Sequence, residues 1–400
     1  MPRLTLRLAA VATLAPLLAC SGDDVGGTEG AETTSASATE SASATGSTTA
    51  GTSASSDTSG SGSASATGTS TSDPTATATS SETTTSASGT TTGDPTTSST
   101  GTTDSTTGDT SGTTGDMPAE PLRFVVLGDG GEGNDNQYAV ADIVEQVCAD
   151  KGGCEFALYL GDNFYDEGVE AVDDNQFQTK FEEPYADLSF PFYVVLGNHD
   201  YGLVSNQWDK AEFEVEYTNY SDKWTMPNKW YEVDLGQLHL FALDTTRLMW
   251  DKDTSAQQNW LNQAVAASDA PWKIIFGHHP YVSDGAHGNA GNYEGLPFPD
   301  FVSGKTVKKF MDASICNKVD VYFCGHDHNR QWHHPKCGVE FVVSGAAAKT
   351  TDFEFHDDNQ VFWEDDTLPG FLFVEIDGDT LYGAFYDRTG KLDFERTVTK

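Results

Sequence analysis

From residue 122 onward the chain repeats one pattern, a short apolar run that stops at a glycine and is followed at once by an ion-binding type of residue. Leu122-Arg123-Phe124-Val125-Val126-Leu127 ends at Gly128-Asp129, and Phe156-Ala157-Leu158-Tyr159-Leu160 ends at Gly161-Asp162. Phe192-Tyr193-Val194-Val195-Leu196 ends at Gly197-Asn198-His199. Lys273-Ile274-Ile275-Phe276 ends at Gly277-His278, and Val319-Asp320-Val321-Tyr322-Phe323-Cys324 ends at Gly325-His326. Apolar runs of this length closed by glycine predict buried strands. Between them, segments 136–148, 176–188, 256–267 and 306–315 have helix-compatible spacing. Strands alternating with helices predict an α/β sheet whose carboxyl edge carries the ligand site. Segments 230–234, 239–243, 340–343, 371–376 and 380–386 read as antiparallel strands, so a second sheet is expected, with two packed sheets flanked by helices.

The first 117 residues read differently. Arg3 and Arg7 precede an uncharged apolar run from Leu8 to Ala19, too short to span a bilayer, which predicts a secretion signal over residues 1–20. Its end, Leu17-Leu18-Ala19-Cys20, resembles the lipobox of bacterial lipoproteins. That likeness implies cleavage before Cys20, a lipidated thiol and a membrane anchor on the cell envelope, with Ser21 favouring the outer membrane. Residues 21–117 are Ser, Thr, Gly and Ala with scattered acids and no Lys, Arg, Leu or aromatic residue. Such a segment cannot bury enough apolar surface to offset the entropy of ordering and is expected to be a disordered stalk, glycosylated or not. All 8 Trp, 14 Tyr and 22 Phe lie from Phe124 onward, so the folded domain is expected over residues 118–400.

Charge narrows the partners. With 22 basic against 61 acidic side chains and a formal charge of −39, the chain can hardly assemble the basic face that nucleic acid needs. Cys20 aside, an odd number of cysteines remains. Cys148 and Cys154 bracket a glycine-containing turn and could bridge it, and Cys316 could pair with Cys337. Cys324, at the end of a core strand, reads as a small buried apolar residue.

The strand-end residues Asp129, Asp162, Asn198, His199, His278, His326 and His328 offer hard oxygen and imidazole donors, a set suited to iron, zinc or manganese. It is too rich for one ion, and two ions sharing a carboxylate is the economical arrangement. In order and spacing, Gly128-Asp129, Gly161-Asp162, Gly197-Asn198-His199-Asp200, Gly277-His278 and Gly325-His326-Asp327-His328 resemble the metallophosphoesterase superfamily over residues 122–345. Within it the chain looks most like the purple acid phosphatases of the small tartrate-resistant type. The generic family has a histidine where Gly131 stands, and Tyr165, three residues beyond Asp162, offers a phenol instead.

The resemblance implies a four-layer α/β/β/α sandwich and an acid phosphatase that activates hydroxide for in-line attack on phosphate monoesters. It implies Fe(III) held by Asp129, Tyr165, His328 and bridging Asp162, beside a divalent Fe, Zn or Mn ion held by Asn198, His278, His326 and the same Asp162. A phenol must lose its proton to ligate at acidic pH, which calls for a trivalent ion. Ions of +3 and +2 against two carboxylates and a phenolate also leave a positive pocket in an acidic protein. His199 and His287 match the family's two histidines beside the metals and are candidate acids. Asp200 is expected to orient His199. Ala286 stands where the family usually has an acid. The substrate would be a small-molecule or phosphoprotein phosphate ester. Rival readings are a phosphodiesterase or nucleotide hydrolase with the same metals, or a non-catalytic surface binding module. Of the other histidines, His279 is expected in the pocket wall and His239 in a structural role. His333 and His334 are expected in a solvated loop, and His356 in an acidic loop facing solvent.

Overall fold

The computed structural model describes residues 120–202 and 204–400, so the expected leader with Cys20 and the segment 21–117 lie outside the described residues. In chain order the first strands are β1 (Leu122–Leu127), β2 (Phe156–Tyr159), β3 (Phe192–Val194), β4 (Trp224–Thr225), β5 (Tyr231–Asp234), β6 (Leu238–Ala242) and β7 (Trp272–Phe276). They are followed by β8 (Val321–Cys324), β9 (Arg330–His333), β10 (Glu340–Ser344), β11 (Val361–Asp365), β12 (Gly370–Asp377), β13 (Thr380–Asp387) and β14 (Leu392–Thr399). The α-helices are α1 (Asp135–Asp150), α2 (Lys210–Tyr217), α3 (Thr245–Met249), α4 (Thr254–Ala267), α5 (Asp300–Ser303) and α6 (Lys305–Ser314).

Two sheets result, in the orders β14-β13-β12-β1-β2-β3-β4 and β11-β9-β10-β8-β7-β6-β5. In the first, β1, β2 and β3 run parallel, so that residues 129, 162 and 198 emerge at one edge. In the second, β7 and β8 run parallel and deliver His278 and His326 at their carboxyl ends. Strand alternation explains the layering. On β6, β7, β8 and β10, Leu240, Ile274, Phe276, Val321, Phe323 and Val342 join the core shared with the first sheet. Their neighbours Phe241, Ile275, Tyr322, Phe341 and Val343 point the other way, onto Leu248, Leu261, Val307, Phe310 and Met311 of the helices. Helix α1, capped by the Asn134 side chain accepting from Gln137 N, buries Val140, Val144 and Val147 against the outer face of the first sheet. The order is helix, sheet, sheet, helix, as expected.

Some elements differ from the sequence reading. Segment 176–188 is helical only over residues 176–182, most of it a π-helical turn, Gln178–Glu182, because Pro184 has no N–H with which to continue the hydrogen-bond ladder. Strands β6 and β10 are mixed rather than antiparallel: β6 runs parallel to β7 and β10 parallel to β8. His333 is not in a solvated loop but buried in β9, between β10 and β11. His334 is exposed, stacked on Phe362. Disulfides join Cys148 to Cys154 and Cys316 to Cys337, while Cys324 is free and buried. Among the described residues, no helix is long and apolar enough to cross a membrane.

Candidate metal centre

Loops leaving β1, β2, β3, β7 and β8 converge between the carboxyl edges of the two sheets. Three residues at these turns, Asp129, Asp162 and His326, hold positive φ angles of 60°, 52° and 72°. Non-glycine residues keep that conformation where their surroundings enforce it. Here the backbone turns aim side chains at one point. The Tyr165 hydroxyl lies 3.0 Å from Asp129 Oδ1, 3.0 Å from Asp162 Oδ2 and 3.1 Å from His328 Nε2. His278 Nε2 lies 3.0 Å from Asn198 Oδ1, 3.1 Å from His326 Nδ1 and 3.4 Å from Asp162 Oδ2.

Two ion-sized groups of donors follow, Asp129 with Asp162 and His328, and Asp162 with His278 and His326. Asp162 belongs to both. Tyr165 joins the first and Asn198 the second. Two carboxylates, a phenol, an amide oxygen and three imidazoles packed this closely are poorly compensated by one another, and cations between them satisfy all seven at once, so the donor set fits two ions. Outer contacts fix the rings. His278 Nδ1 donates to the Leu160 carbonyl at 2.9 Å, which leaves Nε2 to ligate, and His328 Nδ1 lies 3.1 Å from Thr351 Oγ1.

The exchange of histidine for tyrosine has a steric cause. A Cβ on Gly131 would stand 2.2 Å from the Asn163 carbonyl carbon, so the chain approaching Tyr165 occupies the space of any side chain there. Tyr165 N donates to the Gly131 carbonyl at 3.0 Å, and the phenol arrives where an imidazole from residue 131 cannot.

Charge in the cluster is uneven. Burial pushes the Asp129 carboxyl up to about 8, against the pull of His278. Burial also opposes ionisation of Asp162, but His278 and His199 hold it well below the usual carboxylate range. His278, disfavoured as a cation by burial, is carried up to about 9 by Asp162 and Asp129. Burial and the same two carboxylates push the Tyr165 phenol well up, so its deprotonation requires a strong positive charge close by.

The candidate acids flank this cluster. His199 Nδ1 donates to the Asp166 carbonyl at 2.6 Å, and its ring lies 4.6 Å from that of Tyr165. Asp200, expected to orient His199, binds the backbone of two loops. It is fully buried and accepts from the backbone N–H groups of Gly197 at 2.7 Å, Asn163 at 2.8 Å and Phe164 at 3.1 Å, tying the β3 loop to the loop that carries Tyr165. Beneath it lies buried Glu214, bonded to Asn163 Nδ2 at 3.0 Å.

His287 stacks on His326, and its Nδ1 pairs with Glu294, which supplies the acid that Ala286 lacks. Burial opposes protonation of His287, but Glu294 and Asp327 hold it up to about 9. Glu294 was not legible in the sequence, being a single acid in a loop with no periodicity. His279, expected in the pocket wall, is buried beside the second donor group, with Nδ1 2.8 Å from Thr245 Oγ1 and its ring 4.4 Å from that of His326. His239 is structural as expected, held 2.9 Å from Ser268 Oγ. His356 departs from expectation. It is half-buried against Gly288, and its Nε2 donates to the Ala286 carbonyl at 2.8 Å, bracing the His287 loop.

Residues 122–330 match the model of the calcineurin-like phosphoesterase family, which sets the class. The chain is 29% identical over 321 residues to tartrate-resistant acid phosphatase type 5 of Homo sapiens, spanning 70% of this chain and 91% of that one. It is 30% identical over 301 residues to purple acid phosphatase 4 of Arabidopsis thaliana, spanning 68% and 82% respectively. In fold it is similar to a purple acid phosphatase from yellow lupin (Lupinus luteus) seeds, with a TM-score of 0.53 and 19% identity over 70% of this chain and 54% of that one. The chain belongs to the calcineurin-like phosphoesterases and, among them, to the purple acid phosphatases.

Proposed function

We propose that the domain is an acid phosphatase that hydrolyses phosphate monoesters at a binuclear centre of Fe(III) and a divalent iron, zinc or manganese ion. The observation that carries this reading is the pair of donor groups joined through Asp162, one of them containing the Tyr165 phenol. Asp129, Tyr165, His328 and Asp162 would hold the trivalent ion, and Asn198, His278, His326 and Asp162 the divalent one. When bound, the ions supply Lewis-acid activation of water and of the phosphoryl oxygens.

The chain's own groups position the substrate and move protons. With Nδ1 bonded to a carbonyl, His199 keeps its proton there and exchanges the one on Nε2 with the leaving oxygen. His287, kept cationic by Glu294 beside His326, attracts the phosphoryl group. Asp200 holds two of the loops in register and touches no reacting atom.

The test is oxidised, purified protein assayed for metal content, visible absorption and turnover of aryl phosphate mono- and diesters. Two ions per chain, a tyrosinate-to-iron band and faster monoester turnover are expected. Fewer than two ions, or a colourless active protein with zinc alone, overturns the assignment; faster diester turnover favours the phosphodiesterase reading.

The rest of the chain completes the proposal. Residues 1–20 direct export, a lipid on Cys20 anchors the protein to the cell envelope, and residues 21–117 form a flexible stalk for the domain at 118–400. The charge and residue pattern of the leader support this, and so do the two disulfides, which persist in oxidising compartments. A flexible stalk of this length spans roughly 50–60 Å. Fractionation of cells making the full chain or Cys20→Ala tests it: release of the variant from the membrane is expected, and equal partitioning overturns the anchor.

A further inference from the structure

We infer that Lys349 is a positioning residue for the phenol-containing donor group, its ammonium seated on the face of Tyr165 to set how strongly the phenolate gives electron density to the ion it holds. This rests on the reading of Tyr165 as a ligand of Fe(III). The Lys349 Nζ lies 3.4 Å from the centroid of the Tyr165 ring. It is also 2.6 Å from Glu132 Oε1, in the turn that follows Asp129.

The geometry is built by a loop fixed at several points. After β10, Ala347 N donates to the Gly128 carbonyl at 3.1 Å, and the Ala348 carbonyl accepts from Asn134 Nδ2 at 3.1 Å. Lys349 then reaches the Tyr165 ring. Two residues on, Thr351 N donates to the His328 carbonyl at 2.9 Å and Thr351 Oγ1 lies 3.1 Å from His328 Nδ1. One short stretch of chain therefore touches both the phenol and the imidazole of the same donor group. Lys180, the other lysine beside Tyr165, binds its backbone carbonyl instead.

A cation over an aromatic face is attracted to the electron density of the ring, and more so when the ring carries the negative charge of a phenolate. Lys349 thus stabilises charge that stays on the ring and weakens its donation to the metal. The phenolate-to-iron absorption is raised in energy, and the iron is more easily reduced. Glu132 moderates both effects by partly neutralising the ammonium.

The experiment compares the metal-loaded full-length protein with Lys349→Met, Lys349→Arg and Glu132→Gln, reading the visible band and the iron reduction potential. Lys349→Met is expected to move the band to longer wavelength and lower the potential. Lys349→Arg is expected to retain both values, and Glu132→Gln to move them the opposite way, which decides the matter if Lys349→Met fails to fold. A band present in the parent protein but unmoved in Lys349→Met, or moved equally in Lys349→Arg, overturns the role of Lys349 alone. Absence of the band from the parent protein overturns the Tyr165 reading, and this inference with it.

Discussion

The imidazole of His287 lies on that of His326, with ring centroids 3.9 Å apart and planes inclined by 23°. A histidine held there as a cation by Glu294 places positive charge beside the divalent site without using a coordination position. Glu294→Gln removes the counter-charge but keeps the shape. It is expected to lower kcat/KM for an aryl monoester by roughly 10- to 100-fold, the usual effect of losing a partner that orients a metal-site group. Metal content should stay at the parent level; steady-state kinetics with metal analysis checks both.

Gly131 has no room for a methyl group, because the atoms it would strike belong to the Asn163 backbone rather than to a yielding side chain. Gly131→Ala is expected to cost about 1–3 kcal/mol, as overpacking does. The displaced Tyr165 should also lose iron. Denaturant unfolding and iron content measure the two effects.

Tyr165→Phe leaves the ring in place and deletes the oxygen that Asp129, Asp162 and His328 surround. Loss of the visible band and of iron from the first site is the expected result. A variant that keeps its colour would show that the chromophore lies elsewhere.

Asn198→Ala and His326→Ala each remove a donor from the second group while leaving Tyr165 in place. Aryl phosphate turnover should fall by roughly 100-fold or more. Unchanged turnover in either variant, at parent metal concentration, would falsify the two-ion clamp.

Asp244 gives the fold a pH dependence separate from the metals. It caps α3 by accepting from Arg247 N at 3.0 Å, and burial pushes its carboxyl up to about 6 despite the opposing pull of Tyr201 and Arg247. A carboxyl raised in the folded state contributes stability below its unfolded pKa and loses it as pH rises through about 6. At 1.36 kcal/mol per pH unit the contribution is on the order of 3 kcal/mol. Asp244→Asn cannot titrate, so the melting temperature of the variant should fall less steeply than that of the parent between about pH 4 and pH 6.

Much of this architecture was legible because its signals are local. An apolar run closed by glycine and then Asp, Asn or His declares a strand and a ligand within a few neighbouring residues, and five such donors meet in space, with Tyr165 and His328 close behind two of them. What was missed depends on distant partners. His333 reads as part of a solvated loop, yet it lies in buried β9, whose Arg330 pairs with Asp365 and Asp393, both far along the chain. Glu294 reaches His287 through a loop without periodicity, and Asp200 turns its carboxylate toward backbone N–H groups that no spacing rule reveals. His356 is drawn in by the Ala286 carbonyl, although its acidic neighbours suggest solvent.

Asp129, Asp162, Tyr165 and Asn198 ride on one sheet, and His278, His326 and His328 on the other. Ions seated among them rivet the halves of the sandwich together, so that filling the centre and locking the sheets in alignment become a single event. A chelator would then weaken the scaffold along with the chemistry, by about 4 kcal/mol for metal present at a thousand times its Kd. The same seam would let metal supply govern how long the protein survives.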